Sequence, residues 1–147
     1  MTIIYVPDPG ETAKFWARAF GFTIHTILED NSYADLEPQT KGGISIGFVN
    51  SFDFEDMYHY KFEDASTYQI PRTQLMLHSQ NVDSDFKKAI TNGAQEILPP
   101  HKTDWSLRVA YVEDPNGTVV ILSGPMNPDL MKRKVAYINP NSKSMMS

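Results

Sequence analysis

Residues 108–123 read RVAYVEDPNGTVVILS, two β-rich runs on either side of the tetrapeptide Asp114-Pro115-Asn116-Gly117. An Asn-Gly pair accepts the positive φ angles that a tight two-residue turn requires. The stretch therefore predicts two strands, Arg108–Glu113 and Thr118–Ser123, joined as a hairpin. The tetrapeptide has a structural role in this prediction, and no catalytic one.

Upstream of this hairpin the sequence predicts a strand, a helix and another strand. The β-rich run Leu75–His78 comes first, and a helix follows that ends at Gly93. Asp83 or Ser84 is the expected N-cap of that helix, because short polar side chains accept hydrogen bonds from the first backbone N–H groups. With a further strand near Gln95–Leu98, residues 74–125 have the order βαβββ.

The first 50 residues repeat this order. Asp8 is a suitable N-cap, Pro9 suits the first helical position and Gly21 suits a left-handed C-terminal cap, so a helix is predicted over Pro9–Phe20. Its apolar residues recur at helical spacing. The predicted strands around it are Ile3–Val6, Phe22–Leu28, Tyr33–Leu36 and Ile44–Val49.

Composition limits the domain organisation and the class of partner. With 147 residues we predict one domain over residues 1–125, made of modules 1–50 and 74–125, an aromatic and acidic linker 51–73, and a tail 126–147. A net charge of -5 without a basic stripe argues against nucleic acid as a partner, and the chain has no cysteine. No apolar run approaches the ~20 residues of a membrane span, so we expect no membrane partner and a cytoplasmic protein.

Both halves of the chain resemble the glyoxalase/bleomycin-resistance protein/extradiol dioxygenase (vicinal oxygen chelate) superfamily. The resemblance rests mainly on the helix-ending glycines Gly21 and Gly93 and on the hairpin tetrapeptide 114–117. It implies an α+β fold in which two βαβββ modules form curved mixed sheets around a cavity, often completed by a second subunit. We therefore expect a homodimer.

In metal-dependent members of this superfamily, each module provides two metal ligands, one in its first strand and one in its last. The corresponding positions here are Met1, Ile46, Gln74 and Ile121. Only Gln74 is a suitable ligand, and no residue of Ile44–Val49 or Thr118–Leu122 carries a carboxylate or an imidazole. Since Mg, Mn, Ni and Zn sites need such donors, we expect no metal and no other cofactor, with a divalent metal as the alternative.

Strand alternation suggests which residues line the cavity. Gln74, Met76 and His78 share one face of their strand because side chains alternate in direction. The complete predicted cavity consists of Ile46, Phe48, Gln74, Met76, His78, Trp105, Tyr111 and Ile121. Two alternatives remain open: the apolar residues fill the space and leave no cavity, and His78 is a strand-end histidine bonded to backbone. The other histidines, His25 among them, are expected to be structural or exposed.

The linker alternates aromatic and acidic side chains. Aromatic rings beside carboxylates suit flat cationic compounds, but aromatic residues also anchor packing interfaces. We predict a lid formed by Phe52, Phe54, Tyr58 and Tyr60. A dimer contact is the alternative for this segment.

The sequence favours a metal-free small-molecule-binding protein of the bleomycin-resistance type, which sequesters an amphiphilic, aromatic or cationic compound. Because three of the four metal-ligand positions hold no ligand, the sequence favours binding over enzymatic activity without deciding between them, and it assigns no catalytic residue. One alternative is a metal-dependent lyase, isomerase or dioxygenase whose displaced site starts from Gln74 and His78. Another is a protein-interaction module, because a fold does not fix a function.

Overall fold

The computed structural model describes residues 1–58, 73–103, 107–124, 137 and 139–141. The chain forms two compact units, Met1–Ile70 and Pro71–Ser147. The first contains β1 (Thr2–Val6), α1 (Pro9–Phe20), β2 (Ile24–Ile27), β3 (Tyr33–Leu36), β4 (Ile46–Asn50) and α2 (Ser51–Tyr58). The second contains β5 (Gln74–His78), α3 (Val82–Thr91), β6 (Gln95–Lys102), β7 (Arg108–Glu113) and β8 (Val119–Ser123). No helix of the described residues is long and apolar enough to span a membrane.

The two units repeat one topology. In the first sheet the strand order is β1-β4-β3-β2, and in the second it is β5-β8-β7-β6. The first strand of each unit runs parallel to the last, and the other neighbours are antiparallel. The predicted α+β fold of two βαβββ modules is therefore confirmed, with a mixed sheet in each.

Helix α1 begins and ends where the sequence predicts. The Asp8 side chain accepts a hydrogen bond from the Glu11 backbone N–H at 3.1 Å, and Pro9 is the first helical residue. Gly21 takes the left-handed conformation at φ 77°, and its N–H donates to the Ala17 carbonyl. These signals are local to the helix ends, which explains why the sequence alone defines them.

Helix α3 begins earlier than expected. Its N-cap is Asn81, whose side chain accepts from the Ser84 N–H at 3.1 Å, so the predicted caps Asp83 and Ser84 lie inside the first turn. The Asp83 carboxylate instead accepts two hydrogen bonds from the Arg108 guanidinium, both at 2.7 Å. Asp83 therefore pairs with Arg108, 25 residues away in the sequence, and does not cap the helix.

The hairpin between β7 and β8 is wider than the predicted two-residue turn. Asp114 N–H donates to the Thr118 carbonyl, and Gly117 N–H donates to the Asp114 carbonyl. Three residues thus form the loop, and within it Gly117 has the positive φ, 85°, whereas Asn116 does not. The Asp114 side chain accepts from the Asn116 and Thr118 N–H groups, which favours this wider loop.

Several element boundaries also differ from the predictions. Helix α2 occupies the start of the segment predicted as a linker, and β6 extends past two prolines to Lys102. β4 begins at Ile46, two residues later than expected, and β2 is shorter at both ends. Most of the tail 126–147 lies outside the described residues.

Candidate ligand-binding faces

Helix α1 packs against one face of the first sheet. Phe48 is fully buried and its ring lies 5.6 Å from that of Trp16 in α1, so it points towards the helix. Residues next to Phe48 in β4, and the residues paired with them in β1 and β3, point to the other side of the sheet, away from α1. We call this the first front face, and its residues are Met1, Ile3, Tyr5, Tyr33, Asp35, Gly47 and Val49.

Two predicted cavity residues do not belong to this face. The side chains of Ile46 and Phe48 point to the other face of the sheet and are buried beneath α1. Alternation correctly groups the two residues together, but it does not say which face of a strand receives the helix. They are core residues, and the prediction that they line a ligand cavity is corrected.

Gly47 brings three side chains together on the first front face. A methyl group at Gly47 would lie 2.8 Å from Cδ1 of Ile3, 3.1 Å from Sδ of Met1 and 3.2 Å from Cε2 of Tyr33. The absence of a side chain therefore lets these groups cover the centre of the sheet. Met1, Ile3 and Tyr5 nevertheless remain 63%, 40% and 39% exposed, so an apolar surface faces outward here.

A polar cluster borders this apolar surface. Asp35 is 8% exposed, its Oδ1 lies 3.1 Å from His25 Nδ1, and its Oδ2 accepts from the Tyr33 hydroxyl at 3.1 Å. Burial, together with the bond to the Asp35 carboxylate, raises the pKa of Tyr33 above its ordinary value of 10.0. The tyrosine thus stays a hydrogen-bond donor at neutral pH, and it fixes the carboxylate from one side.

The second sheet has a comparable arrangement. A Cβ atom at Gly124, directly after β8, would lie 3.5 Å from Cγ2 of Val82 in α3, so the even-numbered residues of β8 face that helix. The register then places the following residues together on the opposite face, which we call the second front face: Gln74, Met76, His78, Tyr111 and Ile121. Ile121 is buried, whereas Met76 at the sheet edge is 54% exposed, with exposed Gln74 and His78 beside it.

The remaining predicted site residues lie mostly outside the described part of the chain. This holds for Trp105 and Tyr60, and for the side chains of Phe54 and Tyr58 within α2. Phe52 is described: its ring is exposed in the first turn of α2, and its N–H donates to the Asn50 side chain at 3.0 Å. Of the four residues of the predicted lid, only Phe52 has a described side chain.

Three of the four residues at the superfamily's metal-ligand positions, Met1, Ile46 and Ile121, carry no carboxylate, imidazole or amide donor for a divalent cation. Ile46 points to α1, Ile121 is an aliphatic residue of the second front face, and Met1 and Gln74 carry a thioether and an amide. Among the residues that the structure describes, no group of three or more His, Cys, Asp or Glu side chains is arranged to hold a metal ion.

Sequence reasoning missed the polar cluster of the first front face. Tyr33 and Asp35 are two residues apart in a predicted strand, a spacing that already placed both on one face. His25 had no such signal, because a β-bulge between Ile24 and Thr26 shifts the register of β2 against β3. Its proximity to Asp35 depends on that shift.

Comparisons with known proteins agree with this fold. Residues 1–122 match the family described as a glyoxalase-like domain. No curated protein matches the sequence. Similar solved structures include TioX from Micromonospora sp. ML1, with a TM-score of 0.61 and 19% identity over 84% of this chain and 96% of the other.

Two further solved structures show the same likeness. A glyoxalase/bleomycin resistance protein/dioxygenase family enzyme from Burkholderia phytofirmans PsJN has a TM-score of 0.65 and 21% identity, covering 84% of this chain and 94% of the other. A glyoxalase-related enzyme from Fulvimarina pelagi has a TM-score of 0.67 and 14% identity, covering 87% and 88%. At these identities the likeness concerns the fold.

Proposed function

Since this chain belongs to the glyoxalase-like domain family, we propose that it is a metal-free small-molecule-binding protein of the glyoxalase/bleomycin-resistance type. Its ligand is an amphiphilic, aromatic or cationic compound that the protein sequesters. The proposal includes the homodimer and the cytoplasmic location expected from the sequence. It also retains Phe52 as part of a lid.

The observation that carries this proposal is the composition of the first front face. Met1, Ile3 and Tyr5 form an exposed apolar surface, and the buried carboxylate of Asp35 lies at its border. Apolar surfaces with a few convergent polar groups are the usual setting for small organic ligands. The apolar part suits a hydrocarbon or aromatic group of such a compound.

The charges and rings of this face favour the stated class of ligand. A carboxylate near tyrosine rings attracts a cationic or hydrogen-bond-donating group, and the ring faces attract a cation in addition. Asp35 is held by Tyr33 and His25, so it is oriented before any ligand arrives. Preorganised polar groups of this kind reduce the ordering that binding requires.

The second front face supports the same proposal independently. Met76 presents a flexible, polarizable side chain, and thioethers adapt to ligands of irregular shape. Gln74 and His78 lie on either side of it along the same face of β5 and add an amide and an imidazole. This face therefore combines apolar contact with two polar groups.

A matched pair of substitutions tests the proposal. Ile3 and Ile27 belong to one sheet and are 40% and 39% exposed, but Ile27 pairs with Ala34 on the face of α1. Binding of a panel of cationic and amphiphilic aromatic dyes is measured by calorimetry. Ile3→Ser should weaken binding about tenfold, because the ligand loses an apolar contact, while Ile27→Ser should leave it nearly unchanged.

Thermal unfolding of both variants checks that each remains folded at the temperature of the titration. Equal weakening in the two variants would place the ligand elsewhere. A complete lack of binding across the panel would contradict the proposed function.

A further inference from the structure

The β-bulge in β2 gives His25 an unusual position. Ile24 pairs with Leu36 and Thr26 pairs with Asp35, so His25 is the extra residue at the bulge. Bulges re-aim side chains and occur often beside functional sites. Here the result is a histidine that reaches across to the Asp35 carboxylate on the first front face.

The hydrogen bonds determine which nitrogen of His25 carries the proton. An ionised carboxylate only accepts, so the Nδ1 atom 3.1 Å from Asp35 Oδ1 must be the donor. Thr26 Oγ1, at 2.9 Å from the same nitrogen, then acts as an acceptor. In the neutral imidazole the lone pair is therefore on Nε2.

Burial differs sharply between the two partners. The Asp35 side chain is 11% exposed, and that of His25 is 61% exposed. The other carboxylate oxygen of Asp35 accepts a hydrogen bond from the Tyr33 hydroxyl. A fixed, buried carboxylate thus orients an accessible imidazole, as in the His-carboxylate pairs that serve general-base chemistry.

We propose that His25 accepts a proton from the hydroxyl group of a small phenolic compound bound on the first front face, an inference that rests on the proposed function. The phenolic O–H bond breaks, its electron pair stays on the oxygen, and the proton forms a new N–H bond at His25 Nε2. The products are a bound phenolate and an imidazolium. No other reactant takes part.

The phenol class follows from the two neighbouring surfaces. An aromatic ring suits the apolar groups gathered over Gly47, and a weakly acidic hydroxyl suits an imidazole near neutral pH. The imidazolium remains beside the Asp35 carboxylate, which stabilises its charge. Asp35 and Tyr33 are positioning residues in this step.

A chromogenic phenol reports the proton transfer directly. 4-Nitrophenol is added to the protein at a pH where the free compound is mostly neutral, and the visible absorbance of the phenolate is recorded. Equilibrium dialysis in the same buffer measures how much of the compound is bound. We expect the bound compound to be enriched in phenolate relative to the free one.

Three variants separate the roles. His25→Gln should abolish the enrichment, because its amide has no basic nitrogen. Asp35→Asn should reduce the phenolate-to-phenol ratio about tenfold, since a charged hydrogen-bond partner is lost while dialysis still shows binding. His101→Gln is the control: His101 Nδ1 lies 2.8 Å from the Pro99 carbonyl, a neutral partner in the other unit, so the enrichment should persist.

Circular dichroism and thermal unfolding confirm that each variant is folded. If the compound binds without phenolate enrichment, or if His25→Gln keeps the enrichment, the inference is overturned and the proposed function stands. If 4-nitrophenol does not bind, the inference is also overturned, and the dye titrations of Ile3→Ser and Ile27→Ser decide the proposed function separately.

Discussion

At the scale of single residues, the absence of a side chain at Gly47 shapes the first front face. The side chains of Ile3, Met1 and Tyr33 occupy the space that a Cβ atom would need. Ile3 and Met1 approach with the ends of flexible side chains, which can shift. The Tyr33 ring has less freedom, because its hydroxyl is bonded to Asp35.

Gly47→Ala is therefore expected to change the ligand surface as well as stability. We predict a loss of about 1–2 kcal/mol in the free energy of unfolding from overpacking. Binding of the aromatic dyes should weaken too, because Tyr33 is displaced. Urea denaturation and dye titration measure the two effects.

Gly124→Ala is the matched control for this substitution. The nearest atom to a methyl group at Gly124 is Val82 Cγ2 at 3.5 Å, an ordinary contact distance. Its unfolding free energy should change by less than about 0.5 kcal/mol. Equal destabilisation of the two variants would contradict the crowding argument at Gly47.

How far single residues can be predicted depends on whether their partners are local. Asp8 and Gly21 act on backbone groups within four residues, and the sequence identified both. Asp83 was assigned as a cap, but a distant arginine engages it. His25 was expected to be structural or exposed, and its contact with Asp35 was not predicted. That contact depends on a bulge that arises only from strand pairing.

At the scale of elements, the direction in which the side chains of each strand point separates the core from the front face. The sequence predicted α1 to the residue and both βαβββ orders, because helix caps and turn residues mark the boundaries. It grouped Ile46 with Phe48 correctly and assigned them to the wrong face. Alternation has a period of two and contains no information about which side the helix covers.

Substituting a residue that faces a helix and substituting a front-face residue should therefore differ in their effects on stability and on ligand binding. Phe48→Ala removes a buried ring packed on Trp16, and we predict a loss of about 3–5 kcal/mol in unfolding free energy. Met76→Ala, at an exposed position, should cost less than about 1 kcal/mol and should weaken ligand binding. Chemical denaturation and dye titration distinguish them, and a Met76 variant as unstable as the Phe48 variant would refute this division of faces.

The cap of α1 gives the protein a defined acid sensitivity. Hydrogen bonds from the Glu11 backbone N–H and then from the Asn31 side chain lower the pKa of Asp8 below its ordinary value of 3.8. Because the folded-state pKa is the lower one, this stabilisation is present above pH 3.8 and is lost as the pH falls through the folded-state value. Asp8→Ala should cost about 1 kcal/mol near neutral pH.

Asp8→Asn keeps an acceptor at the cap and removes the ionisable group. Its unfolding free energy should approach that of the wild type as the medium is acidified, with the difference largest near neutral pH. Denaturation curves at neutral and acidic pH measure this. A difference that grows in acid would reverse the assigned direction of the pKa shift.

At the scale of the whole molecule, a duplicated unit has kept its topology while its strands differ in chemistry. Both sheets have the same strand order, but the first front face holds a His-Asp-Tyr cluster and the second holds Gln74, Met76 and His78. The duplication was visible in the sequence because turn and cap signals recur. The composition of each front face was less visible, since it depends on which side chains the paired strands bring together.

The central proposal, that an organic compound binds these faces without a metal ion, is tested by measuring ligand affinity before and after metal removal. The protein is dialysed against EDTA, its metal content is determined by mass spectrometry, and the tightest dye of the panel is titrated by calorimetry. The affinity should be the same before EDTA, after EDTA, and after addition of Mg, Mn, Ni or Zn ions. Loss of binding after EDTA with recovery on addition of one of these ions would contradict the account.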